Sequence, residues 1–135
     1  MDWSKIRTIA FVGVSANRER DSYKVMRYFF EKGFEVIPIN PNYDSIDEIK
    51  CYPSLSALPE DIACKIDMVD VFRKSEFVTP IAKEAIEVKK KYNNLKIFWM
   101  QVGVSNDDAA RLLQDAGIEV YQNVCAMVTH KLDLH

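Results

Sequence analysis

Five short apolar runs alternate with segments of helical periodicity, and this alternation limits the chain to very few folds. Arg7 to Val14 is apolar and β-branched, fit for a buried strand. Asp21 or Ser22 is placed to cap a following helix. Val25, Met26, Phe29 and Phe30 give that helix an apolar stripe, and Gly33 stops it. Phe34 to Ile39 is the second strand, Asp67 to Phe72 the third, Leu95 to Gln101 the fourth and Ile118 to Gln122 the fifth. Between the third and fourth strands, Thr79 precedes Pro80 as a capping hydroxyl precedes a first-turn proline. Ile81, Ala82, Ala85 and Ile86 form one face of this helix, and Lys89, Lys90 and Lys91 suit its negative end. Ser105 to Asp108 resembles a capping box with Asp in place of Glu. Ala109, Leu112, Leu113 and Ala116 follow on one face before Gly117. Asn40 to Pro59 holds Pro41, Pro53 and Pro59, which predicts an irregular connection with a short helical turn around Ser54–Leu58.

Strands separated by helices imply an α/β fold: a mostly parallel sheet of about five strands with helices on both faces. In such sheets ligands bind beyond the carboxyl ends of the strands, at the topological switch point. The length of 135 residues fits one domain spanning residues 1–135 and leaves no room for a second substrate domain. A 48% hydrophobic share and a net charge of −2 speak against disorder. Eighteen basic against twenty acidic residues give no nucleic-acid footprint. No apolar run reaches the ~18 residues of a membrane span. The first residues lack a signal peptide's apolar core, so the expected location is cytoplasmic. Three cysteines without CxxC spacing, and only His130 and His135 as histidines, predict neither a disulfide framework nor a metal site.

The loops at the strand ends carry the chemistry. Gly13-Val14-Ser15-Ala16-Asn17-Arg18 follows a strand and leads to a helix, as a phosphate-binding turn does. Gly13 would let the backbone approach an anion, Ser15 offers a hydroxyl, and Arg18, Arg20 and Lys24 add positive charge. A plain tight turn before a helix would use the same residues. The dinucleotide fingerprint is absent, because Ser15 and Arg18 stand where GxGxxG needs glycine. The second strand ends in Asn40-Pro41, without the carboxylate that binds a ribose hydroxyl. Both absences weigh against NAD. Arg73 ends the third strand on the same rim, where a guanidinium suits phosphate, and Val71 and Phe72 are placed to flank a flat base. Core packing of Phe72 and solvation of Arg73 is the competing reading. Gly103 ends the fourth strand, beside Gln101, and also fits a simple turn. Cys125 and His130 stand about 140° apart on a helix of 3.6 residues per turn and would not meet as a nucleophile pair. Cys51, Cys64 and Cys125 read as buried structural cysteines. No catalytic residue is evident.

The ordered set of motifs has a counterpart. Gly13-Val14-Ser15, Val36 to Pro41, Tyr52-Pro53-Ser54-Leu55, Asp67 to Arg73, Trp99 to Gly103 and the Cys125-to-His130 tail resemble the small stand-alone CoA-binding proteins. The resemblance runs from about Ile9 to His130. Thr129 stands where that family often has Glu, and Val124 where Arg is common. The family is related to the CoA-binding domain of succinyl-CoA synthetase alpha subunits and of ADP-forming acyl-CoA synthetases.

The resemblance implies a three-layer Rossmann-like fold that binds coenzyme A or an acyl-CoA. It withholds the synthetase reaction, which uses a phosphorylated histidine in a following domain. It implies a site of Gly13, Val14, Ser15, Ala16, Arg18, Ser22 and Tyr23 around the first loop, completed by Asn40, Pro41, Val71, Phe72, Arg73, Gln101 and Gly103. Within it, Gly13 and Ser15 would hold the pyrophosphate, Arg18 and Arg73 would neutralise phosphate, and Asn40, Pro41, Val71 and Phe72 would frame the adenosine. Gln101 and Gly103 would border the pantetheine arm. The role expected is a non-catalytic sensor, carrier or partner subunit, with a homodimer or a synthetase-like partner chain as its assembly. The competing expectation is an NAD- or NADP-dependent oxidoreductase, or an acyl-CoA enzyme completed by a partner. A third reading is redox protection through a mixed disulfide with the CoA thiol.

Overall fold

A computed structural model describes residues 1–133; Leu134 and His135 lie outside the described residues. Strands β1 (Thr8–Val12), β2 (Glu35–Ile39), β5 (Met68–Val71), β6 (Ile97–Met100) and β7 (Glu119–Tyr121) form one sheet in the order β2-β1-β5-β6-β7, with every pairing parallel. The expected α/β Rossmann-like architecture is therefore present. Beyond β2, Tyr52 makes one parallel bridge to Ile39. Its N–H donates to Pro38 C=O at 3.0 Å, and its own C=O accepts from Asn40 N–H at 2.9 Å. Tyr52 thus occupies the place of the third strand in a doubly wound sheet, reduced to one residue. Pro38 is tolerated within β2 because its backbone groups point towards this edge, away from β1.

Alternation along the strands sorts the core into two layers. Ile9 and Phe11 point to one face, where they meet Val25, Met26 and Phe29 of helix α1 (Asp21–Glu31), together with Trp99 and Ala126. Ala10, Val12, Val69 and Val71 point to the other. There they meet Ala82 and Ala85 of α3 (Val78–Tyr92) and Ala109 and Leu113 of α4 (Asp107–Asp115). A fully buried side chain such as Phe29 contributes about 1.5–3 kcal/mol.

Helix α5 (Ala126–Asp133) is held on the α1 face by an aromatic nest. His130 is 5% exposed and lies edge-on to Trp3, Tyr28, Phe29 and Phe34. Its Nδ1 is 2.6 Å from the Tyr28 hydroxyl. Burial and the nearby Lys32 charge hold its pKa below the usual 6.5.

Several local expectations are corrected. The first residue of α1 is Asp21, preceded by Arg20, which offers no side-chain cap; Ser22 turns its hydroxyl to the loop instead. Helix α3 begins two residues early, at Val78, so Thr79 is inside it and accepts from Asn106 Nδ2. The cap of α4 is Asn106, whose Oδ1 accepts Ala109 N–H at 3.0 Å; Ser105 is one residue too soon. The reciprocal arm of the box comes from afar, as Gln122 Oε1 accepts Asn106 N–H at 2.7 Å. The segment expected to be irregular contains a small hairpin, β3 (Ser45–Ile46) with β4 (Ile49–Lys50). The turn at residues 54–58 is present, and a separate short helix α2 (Glu60–Ala63) follows it. No helix among the described residues is long and apolar enough to cross a membrane.

Candidate ligand site at the carboxyl rim of the sheet

Gly13 leaves β1 at φ +85°, where a side chain is strained by about 1–2 kcal/mol. Its N–H donates to Ile39 C=O at 2.8 Å, which ties the loop to the end of β2. A Cβ at this position would stand 2.8 Å from Arg73 Cδ and 3.0 Å from Arg73 Cγ. The absent side chain therefore makes room for the arginine from the end of β5. Arg73 lies across this space with its guanidinium 4.9 Å from the centre of the Phe77 ring. Gly103 also has a positive φ, but a Cβ placed there would meet nothing within 4 Å.

The loop that follows spends its side chains on itself. Ser15 N–H donates to Ser22 Oγ at 3.0 Å, Asn17 N–H to Ser15 Oγ at 3.0 Å, and Glu19 N–H to Asn17 Oδ1 at 2.9 Å. None of these groups caps α1, and Arg20 caps nothing. The first-turn N–H groups of Asp21, Ser22 and Tyr23 are therefore left without a side-chain partner among the described residues. Such an end carries a partial positive charge and free donors, the arrangement that attracts anions. A cavity of about 390 Å³ opens at this point, lined by Gly13, Ser15, Arg20, Ser22 and Phe72, with the carboxylates of Glu19 and Asp21.

A second cavity, about 260 Å³, adjoins the first and shares Asp21 and Phe72 with it. It runs between the starts of α1 and α5, along Val25, Gln101, Val102, Cys125 and Met127. Gln101 is 6% exposed, and its Oε1 accepts Ala126 N–H at 2.8 Å.

The structure gathers only part of the predicted set in these cavities. Gly13, Ser15, Ser22, Phe72 and Gln101 line them. Ala16 and Pro41 are exposed beside them. Asn40 bridges the first two strand ends, with Nδ2 donating to Val14 C=O at 2.9 Å. Val14 and Val71 are wholly buried and line neither cavity. Arg18 and Tyr23 sit on the other side of α1, where both engage Asp47 at the hairpin tip, the Arg18 pair at 3.7 Å. Bonding to Asp47, with burial, raises the Tyr23 pKa. Gly103 donates its N–H to Asn123 Oδ1 at 2.7 Å on the exposed surface.

Three features went unread in the sequence. Glu19 lines the loop cavity beside Arg20, whose charge the sequence signalled, and only its proximity to Ser22 hinted at it. Cys125 lines the second cavity, and Cys64 is exposed, so neither is the buried structural cysteine expected; Cys51 is buried, which pushes its thiol pKa up. Asp70 is wholly enclosed on the α1 face, flanked across the sheet by Phe11 and Trp99, with no partner for either oxygen among the described residues. Burial alone pushes its pKa well above 3.8. The strand pattern around it, Met68-Val69-Asp70-Val71, places it inward, but no residue type signals that its partner is missing.

A doubly wound sheet, a glycine at its first crossover and an uncapped helix start place the chain among Rossmann-like α/β domains. It belongs to the CoA binding domain family, whose sequence profile matches residues 7–131. The uncharacterized protein YneT of Bacillus subtilis (strain 168) is 34% identical over 124 residues, which span 92% of this chain and 85% of that protein. Acetate–CoA ligase (ADP-forming) II of Archaeoglobus fulgidus is 28% identical over 83 residues, 60% of this chain but only 12% of the ligase. Among solved structures, a hypothetical protein from Pyrococcus horikoshii OT3 superimposes with a TM-score of 0.87 at 33% identity, covering 98% of this chain and 87% of that one. The family expected from the motifs is thus the family found.

Proposed function

We propose that this protein binds coenzyme A, free or acylated, at the carboxyl rim of its sheet, as a sensor, carrier or partner subunit without catalysis of its own. The observation that carries the reading is the uncapped start of α1 facing a cavity floored by Gly13. The pyrophosphate sits on Gly13, Ser15 and the N–H groups of Asp21 and Ser22. Each charge-assisted hydrogen bond of this kind is worth about 1.5–3 kcal/mol. Arg73 takes the 3′-phosphate, and Asn40 and Pro41 border the adenosine. The lack of a carboxylate at the end of β2 favours a 3′-phosphorylated ribose over NAD. Glu19 and Asp21 oppose an anion in the same cavity. Directed N–H donors, rather than net charge, therefore drive binding. The reading includes a cytoplasmic setting and a homodimer or synthetase-like partner chain, which light scattering with and without CoA tests.

Titration calorimetry against CoA, dephospho-CoA, acetyl-CoA, NAD, NADP and ATP tests the assignment. CoA or acetyl-CoA binds most tightly on this reading. Tighter NAD binding with CoA silent overturns it and favours the oxidoreductase alternative.

A further inference from the structure

We infer that Cys125 is a thiol-capture point at the far end of the rim, where it takes a CoA moiety from CoA disulfide into a mixed disulfide. The inference rests on the CoA reading above and deepens it. Three observations converge. The loop cavity and the Cys125 cavity adjoin, with Asp21 and Phe72 in the lining of both, so a chain anchored by its phosphates at Gly13 lies next to the cavity that holds the sulfur. Gln101 lines that second cavity. It is 6% exposed, its Oε1 is held by Ala126 N–H, and its Nε2 donates to no group among the described residues. The apolar remainder of the wall, Val25, Phe72, Val102 and Met127, suits methylene groups. The order along the rim is anion donors, then a largely apolar wall carrying the Gln101 amide with Lys24 and Asp21 at its edge, then the thiol. Coenzyme A has the matching order: phosphates, amide-bearing pantetheine arm, sulfur.

The other cysteines lack this setting. Cys51 is buried and directs its thiol to Asn40 C=O at 3.5 Å. Cys64 is exposed at the opposite end of the sheet, beside Lys65. The Cys125 thiolate attacks one sulfur of CoA–S–S–CoA. The S–S bond breaks, the Cys125–S–S–CoA bond forms, and CoA leaves as a thiolate that takes up the proton lost by Cys125. One disulfide replaces another, so no further oxidant is consumed.

The test treats the protein anaerobically with CoA disulfide and, separately, with glutathione disulfide, and follows each cysteine by peptide mass spectrometry. CoA disulfide is expected to modify Cys125 at least about tenfold faster than exposed Cys64, because binding raises the effective concentration at one thiol only. Glutathione disulfide lacks the nucleotide and shows no preference for Cys125. The adduct is lost in Cys125→Ser and kept in Cys64→Ser. Calorimetry with CoA accompanies the series. CoA bound, but Cys125 no faster than Cys64 with CoA disulfide, overturns the capture role and leaves the CoA site standing. No CoA bound, with both disulfides acting alike, overturns both.

Discussion

The two ends of the central sheet treat their hydrogen-bonding groups in opposite ways. At the amino end, Asp67 accepts from Arg7 N–H at 2.8 Å, Thr8 N–H at 3.1 Å, Asn94 Nδ2 at 3.0 Å and Lys96 Nζ at 2.8 Å. Glu35 is likewise shared between Thr8 Oγ1 and Lys65 Nζ. A cavity of about 770 Å³ lies there, roughly twice the loop cavity of about 390 Å³ at the other end. Its carboxylates are already paired, Glu35 with Lys65 and Asp67 with Lys96. At the carboxyl end, the first N–H groups of α1 and Nε2 of Gln101 have no such partners. Volume alone would choose the amino end, whereas unspent donors choose the carboxyl end. The topological rule for open α/β sheets agrees with the donors.

The largest effect that would sharpen this contrast is Asp67→Ala. Removing a nearly buried carboxylate orphans two backbone N–H groups and should cost about 3 kcal/mol of stability. Urea unfolding measures the loss, and the CoA dissociation constant should stay within a factor of about two, well under 1 kcal/mol. A large loss of affinity would break the division between a structural and a binding end. Gly13→Ala comes next. Its Cβ displaces Arg73 and strains the loop, so CoA affinity should fall about 30-fold, or 2 kcal/mol. Arg73→Ala should weaken CoA about tenfold while dephospho-CoA changes little. Equal weakening of both ligands would reassign Arg73 to the pyrophosphate.

The smallest effects are pH slopes from two buried groups on the α1 face, and they have opposite signs. The folded pKa of His130 lies below 6.5, so the unfolded chain binds more protons in the window beneath 6.5. Stability is full above that window and falls as pH drops through it. The folded pKa of Asp70 lies above 3.8, so the folded chain binds more protons from 3.8 up to that raised value. Stability there falls as pH rises. Urea midpoints across pH should lose the first slope in His130→Gln and the second in Asp70→Asn. A slope that survives its own substitution belongs to another group.

Most of the architecture was legible because each strand and helix repeats one local rule over several residues. Ile9 to Val12 is apolar whichever face each residue takes, and α1 declares itself by a stripe. Caps were misplaced by one or two residues because Thr79 and Ser105 satisfy the local rule equally well. Long-range contacts decide between candidates, as Gln122 does at Asn106. The rim was legible at Gly13 and Phe72, where a strand end and the topological rule coincide. It was not legible at Cys125, whose exposure depends on how α5 packs against α1. Arg18 shows the converse, since its charge was readable but its pairing with Asp47 depends on a hairpin that no strong strand signal announces.

Amide resonances measured during a CoA titration test the central claim most directly. The account predicts that the N–H groups of Gly13, Ser15, Asp21, Ser22 and Tyr23 shift, while those of Arg7, Thr8 and Lys96 at the amino end stay in place. Shifts centred on the amino end, or none in the first turn of α1, would contradict it.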